Sequence, residues 1–321
     1  MARPHAELAA LLSTELRQTL ARRKLKVARR VRGLTSGAHR SQRVAEGDEF
    51  LDHRAYTPGD DLRRLDWRAA ARRDRWVLRR TRAEGNHDLV LLLDDGPNMD
   101  YGEPRSKRSA LASCAAALAW LAAREHDRVG FAYTSGRDAG LHLGPSARSD
   151  TLLALAESLR HPETSKPSDW LTLIERASAR LERPGLVVLI SDWLDPFGGR
   201  EQEEERAWEL LGQLRARGHV LAMLQLLHGD ELDFPWRGDE VLRFVDPRGR
   251  RPQREGSGSA LRDGYLERLG SYLVELEARC EGQGVLRSMG RSDESLAPLL
   301  LRMLDGLAQG VSMNEGSVAA P

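Results

Sequence analysis

The chain has 321 residues, 40% of them hydrophobic and 30% charged. That length supports a full core and suits one large domain, or one domain with an appended region. The net charge of +1 hides an asymmetry: residues 1–82 hold 21 Lys/Arg against 10 Asp/Glu, while the remainder holds 28 against 38. The N-terminal quarter is a basic face, suited to nucleic acid, to an acidic protein, or to the acidic remainder of the same chain. Two cysteines, Cys114 and Cys280, exclude a disulfide framework, and no metal-type Cys/His spacing occurs. No stretch approaches the roughly 18 uninterrupted apolar residues of a membrane span. The best, Leu111 to Ala123, is too short and carries Ser113 and Cys114.

In chain order, Leu8, Leu11, Leu12, Leu16 and Leu20 recur at helical spacing and predict one amphipathic helix within residues 1–24. The same opening is charged, unlike a signal-peptide core, so the expectation is a soluble, cytoplasmic protein. Lys/Arg then recur from Arg17 to Arg43 with no acid among them, and Gly33, Ser36 and Gly37 interrupt any continuing helix. Residues 25–85 read as basic, β-rich and irregular, with a strand near Trp76–Leu78.

Within that segment, EGDEFLDHRAYTPGDDLRRLDW places Arg54, Tyr56, Asp60, Asp61, Arg63, Asp66 and Trp67 around one Pro58-Gly59 turn, with Arg72 just beyond. Proline presets φ for a turn and glycine tolerates positive φ, so acids and arginines can pair across the reversal. A salt-bridged surface hairpin is the plain reading; a docking surface is the functional one.

From residue 86 to 308 the pattern becomes alternating strand and helix. Asp88–Asp94 and Gly185–Asp192 are continuous apolar runs ending in acids, as buried parallel strands are. Arg128–Tyr133, His219–Leu227, Val241–Val245 and Val285–Ser288 read as further strands, with a short edge strand at Leu141–Leu143. Helices are expected near 105–125, 148–160, 168–182, 200–217, 260–281 and 294–308, with Glu255–Ser259 as a turn. The tail 309–321 is small and polar and reads as disordered. This is an α/β fold: a doubly wound, mostly parallel sheet flanked by helices, preceded by the β-rich segment. Sites in such sheets lie at the carboxyl ends of strands, where Asp94, Asp95 and Asp192 fall.

The run LLLDDGPNMDYG with the following Lys107 helix, HDRVGF and VVLISD resembles a von Willebrand factor A-like domain. Together with the PGDDLRRLDW stretch and LQLLHGDELDF it resembles the bacterial domain-of-unknown-function family 58 (DUF 58), over roughly residues 30–305. The resemblance implies a non-catalytic accessory or adaptor protein partnered with a MoxR-type AAA ATPase. It also implies a metal-ion-dependent adhesion site, normally Asp-x-Ser-x-Ser plus a Thr and an Asp. Here that motif reads Asp94-Asp95-Gly96-Pro97-Asn98. Asp94 keeps the first position, Gly96 has no donor, Asn98 offers an amide oxygen, Ser168 or Thr164 stands for the threonine, and Asp192 for the last acid. A divalent cation such as Mg²⁺ at this degenerate site is the one cofactor implied. If no metal binds, Asp94 and Asp192 need arginine or backbone partners, or raised pKa values.

Two other function classes stay open. The basic arm could track a phosphate backbone, although no aromatic residue interleaves Arg22–Arg43 and no reading motif accompanies it. Asp60, Asp61 and Asp66 could form a metal-dependent hydrolase centre, although each acid has an arginine close by and no positioned base is evident. No phosphate-binding loop or nucleophile elbow occurs. Trp193, just past Asp192, is a candidate partner anchor, or packs under its loop.

Overall fold

A computed structural model of the chain describes residues 2–27, 49–55, 77–82, 87–136, 142–161, 168–238 and 241–310. The chain divides into two units, Val31–Asn86 and a larger one built from Met1–Arg30 and His87–Pro321.

In the smaller unit, β1 (Glu49–Ala55) pairs antiparallel with β2 (Val77–Arg82), Arg54 facing Leu78 across the ladder. The register shifts between Phe50 and Asp52. Tyr56, Asp60, Asp61, Arg63, Asp66, Trp67 and Arg72 lie outside the described residues.

The larger unit is an α/β structure around a five-stranded sheet, with β3 (Asp88–Leu93), β4 (Arg128–Tyr133), β5 (Leu186–Ser191), β6 (Val220–Leu227) and β9 (Val285–Arg291) in the order β4-β3-β5-β6-β9. Every pairing in it is parallel. The central strands β3 and β5 are buried on both faces, and alternate residues feed two separate cores. Leu89, Leu91, Leu93, Val188 and Ile190 join one cluster, and Val90, Leu92, Val187 and Leu189 the other.

The first core is roofed by α1 (Ala2–Ala9), α2 (Thr14–Leu20), α3 (Lys107–Arg124), α4 (Ser149–Arg160) and α9 (Ala297–Gln309). The second is roofed by α5 (Trp170–Arg180), α6 (Glu201–Ala216) and α8 (Gly258–Gln283). The alanines of α3 let the helix lie close on the sheet, since a chain of methyl groups holds it no farther off.

A short α7 (Gly229–Asp233) follows β6, and β7 (Val241–Phe244) pairs antiparallel with β8 (Arg254–Ser257) ahead of α8.

The structure corrects three sequence expectations. The first 24 residues hold two helices rather than one. The Ser13 hydroxyl accepts from Leu16 N at 3.1 Å and starts α2 afresh, while Leu8, Leu12, Leu16 and Leu20 all stay buried. The expected turn at Glu255–Ser259 instead contributes β8 and the capped start of α8, where Ser257 accepts from Ala260 N. The expected edge strand begins at Leu141, which lies outside the described residues; beyond it no strand forms, and His142 and Ser146 lie along β4 through Phe131 N donating to His142 O and a bridge between Val129 and Ser146. Gly130 permits that approach, because a Cβ there would stand 2.7 Å from Leu143 O. Residues 311–321 and Thr164 lie outside the described residues. No helix of the described residues is long and apolar enough to cross a membrane.

Candidate functional site

Strands β3 and β5 are neighbours running the same way, so their carboxyl ends deliver Asp94 and Asp192 to one place. Both are buried, at 0% and 2% exposure. Two carboxylates this deep require compensation. The structure supplies it from four directions.

Asn98 sits in a 3-10 turn (Pro97–Asp100) after β3 and bridges the pair. Its amide nitrogen donates to Asp192 Oδ2 at 2.9 Å and to Asp94 Oδ2 at 3.2 Å. This fixes the amide orientation, because the reverse flip would aim its oxygen at two carboxylates. Hydroxyls and backbone complete Asp94: Gly96 N donates to Oδ1 at 2.9 Å, Ser168 Oγ to the same oxygen, and Ser191 Oγ to Oδ2 at 2.6 Å. Thr134 Oγ1 stands 3.3 Å from Asp94 Oδ1 and 3.0 Å from Asp95 Oδ1. Asp95 turns the other way, accepting from Ser135 N at 2.8 Å and Ser135 Oγ at 2.5 Å.

Two cations neutralise the acids. Lys107 Nζ donates to Asp192 Oδ2 at 2.9 Å and to Glu231 Oε1 at 2.5 Å. Arg248 Nη2 donates to Asp192 Oδ1 at 3.1 Å and lies 3.8 Å from Asp94 Oδ2. Leu194 N closes the second site on Asp192 Oδ1 at 3.0 Å. Burial alone would raise the Asp192 carboxyl. The charges of Lys107 and Arg248 and the hydrogen bonds from Asn98 and Lys107 outweigh it and hold the group below the usual carboxylate range. For Lys107 burial pulls downward, but Asp192 and Glu231 win and hold the ammonium above its ordinary value.

Arg248 comes from a place that the family motif does not reach, and Lys107 stands in the motif without an assigned role. Lys107 is the first residue of α3, capped by Ser106, which accepts from Ser109 N at 3.2 Å. Cations at a helix N-terminus oppose the macrodipole. Lys107 and Arg108 stand there together, which is the one signal the sequence offers. Arg108 grips the turn itself, donating to Gly96 O at 2.8 Å and Asp95 O at 3.2 Å. Arg248 follows β7 in a loop organised by Asp246, whose carboxylate accepts from Arg248 N, Arg250 N and Arg251 N. From there Arg248 also holds Asp195 O at 2.7 Å and Leu194 O. Glu231 is fixed by the start of α7, where its other oxygen accepts from His228 N at 2.8 Å.

The expected metal ligands Asp94, Asn98, Ser168 and Asp192 therefore meet, but as a closed hydrogen-bonded cluster. A carboxylate offers about four lone-pair sites. Asp192 fills four, and Asp94 accepts from Gly96, Ser168, Asn98 and Ser191. Gly96 has no donor and no room for one: a Cβ there would lie 2.1 Å from Ser168 Oγ and 2.6 Å from Asn98 Oδ1. Among the described residues no group of three or more His, Cys, Asp or Glu is arranged to hold a metal ion. The donor set does not fit a dication. Trp193 also differs from a partner anchor. It is 1% exposed and packs on Trp170 with ring centroids 4.6 Å apart, beneath its own loop. Trp193 and Asp195 both take positive φ there, at 53°.

Beside the cluster lies a cavity of about 380 Å³. Asn98, Lys107, Asp192 and Arg248 line it on the sheet side. Phe234, Trp236, Phe244 and Tyr265 line it as well, Phe234 touching the other three rings at centroid distances of 5.0–6.0 Å. Val245, 56% exposed, borders it too.

Fold and site together define an α/β protein with a parallel sheet that gathers two carboxylates at its carboxyl end and neutralises them internally. The family model described as "Protein of unknown function DUF58" matches residues 52–267, and the chain belongs to that family. The uncharacterized proteins Rv1480 and MT1527 of Mycobacterium tuberculosis and Mb1516 of Mycobacterium bovis are each 25% identical to it over 292 residues. Each match covers 89% of this chain and 88% of the relative.

Proposed function

We propose that this chain is a non-catalytic interaction protein of von Willebrand factor A-like architecture, working through the carboxyl-end face of its sheet as an accessory to a MoxR-type AAA ATPase. The observation that carries the reading is the cavity above. It sets a wall of four aromatic rings beside a buried, charge-balanced cluster, with Val245 exposed at its border. Aromatic-walled recesses anchor partner side chains. The acids in the cluster are each hydrogen-bonded and ion-paired, which suits a rigid platform better than proton transfer. The ATPase partnership rests on the family resemblance in the signature segment.

The test is capture of AAA ATPase by the tagged chain with and without nucleotide, in wild type and in Val245→Asp. Nucleotide-dependent recovery of the ATPase, lost in the variant at unchanged thermal stability, supports the reading. Recovery of nuclease-sensitive material in place of any ATPase sinks it and moves the function to the basic arm, where retention would fall steeply with salt.

A further inference from the structure

We infer that the Lys107 ammonium is the resident cation of this site, taking the place of a divalent metal ion, and that the site is complete without metal. The inference stands on the protein's own geometry and is independent of which partner binds above it.

The charge balance points the same way as the hydrogen bonds. The buried core of the cluster is Asp94 and Asp192 against Lys107 and Arg248, which sums to zero at neutral pH. Glu231, on the flank, also pairs with Lys107. With Glu231 counted the set carries one net negative charge, so a dication added to it would leave net positive charge among side chains almost fully removed from solvent. It would also have to strip donors from carboxylates whose lone pairs are in use. The oxygen left over is Asn98 Oδ1, buried and without a hydrogen-bond partner. That amide oxygen and the hydroxyls of Ser168 and Ser191 are neutral donors, and with no carboxylate oxygen left free they make a poor seat for a hard dication, which binds through one or two carboxylates and its own waters.

Lys107 is placed to do what the metal would do. Its ammonium lies between a strand-end acid, Asp192, and Glu231 of α7, after β6. It therefore ties the loop after β5 to α7. A compact ammonium does this with directional N–H bonds, and its hold does not depend on ion concentration. The stem of the lysine fixes it at the start of α3, so the cation cannot dissociate.

Two consequences separate this from a lysine that merely fills space. The wild-type, untagged chain should neither bind Mn²⁺ stoichiometrically nor melt differently in Mg²⁺, Mn²⁺ or chelator. Lys107→Ala opens the seat, frees one acceptor site each on Asp192 and Glu231, and leaves the cluster more negative. That variant should acquire a Mn²⁺ site and be stabilised by the ion in proportion to its occupancy. Lys107→Met keeps the volume filled and should gain no such site.

The experiment is a Mn²⁺ titration of all three proteins, read by electron paramagnetic resonance for bound ion and by thermal melting. Metal-silent wild type with Mn²⁺-stabilised Lys107→Ala is the expected result. One Mn²⁺ bound per wild-type chain and lost in Asp94→Asn would overturn the inference. So would a folded Lys107→Ala that ignores the ion. If Lys107→Ala does not fold, the wild-type titration decides the matter: stoichiometric binding refutes the inference and silence supports it.

Discussion

The Lys107 ammonium donates to the Asp192 carboxylate across 2.9 Å, and both side chains are 2% exposed. Forming such a pair gives little net stability over an apolar replacement, but breaking it strands a charge, at about 3–5 kcal/mol. Lys107→Met should therefore lower urea stability by about that amount, and Asp192→Asn should be comparable. The double variant should lose clearly less than the two single losses together, because the second change removes the stranded partner. Strict additivity would mean that the two groups act independently.

The same pair sets a pH dependence. Asp192 is held low in the folded state, so its contribution is full above the unfolded carboxylate value and fades as pH falls below about 4. Lys107 is held high, so its contribution is full below the unfolded lysine value and fades only above about pH 10. Asp293, held low by its Arg291 hydrogen bond, adds to the acid limb in the same direction. The difference between wild type and Asp192→Asn isolates the cluster. It should be constant from about pH 5 to 9 and shrink below that window. Equilibrium unfolding at stepped pH measures it.

Gly96→Ser restores the hydroxyl that the adhesion-site pattern calls for, yet it should destabilise the protein. The new Cβ would collide with Ser168 Oγ, 2.1 Å away, and overpacking of this kind costs about 1–3 kcal/mol. A contrasting glycine lies in α8. Gly270 meets nothing within 4 Å, and Gly270→Ala should gain about 0.5–1 kcal/mol by relieving the helix entropy cost. Opposite shifts in urea midpoint are expected from the two substitutions.

Cys114 and Cys280 are both buried, and burial pushes each thiol up to about 12. Neither should react with Ellman's reagent at pH 8 in the folded protein, and both should react at once in denaturant, where a thiol titrates near 8.5. Rapid labelling of the native chain would mean that the cores open locally.

How far the sequence revealed the site follows from where its parts lie in the chain. Strands buried on both faces are continuous apolar runs, so β3 and β5 were legible, and with them Asp94 and Asp192 at their ends. Asn98 and Ser168 were reachable by the family pattern. Lys107 stood in that pattern without a role, because a lysine at a helix start reads as a solvated residue until its partner, Asp192, is placed beside it. Arg248 was not reachable, because it returns from a loop 56 residues beyond the acid it pairs with. Glu231 depended on a five-residue helix that no periodicity announces. The helix break at Ser13 was hidden for a related reason: the leucines keep one face buried through both helices.

The closed cluster carries a consequence for how this family can change. Because Asp94, Gly96, Asn98, Lys107 and Asp192 occupy one another's hydrogen-bonding and steric space, none of these positions can drift alone. A relative with a hydroxyl at the position of Gly96 must have moved the Ser168 and Asn98 oxygens now packed there. Substitutions at 96, 98 and 168 should therefore arrive as a set across the family's branches.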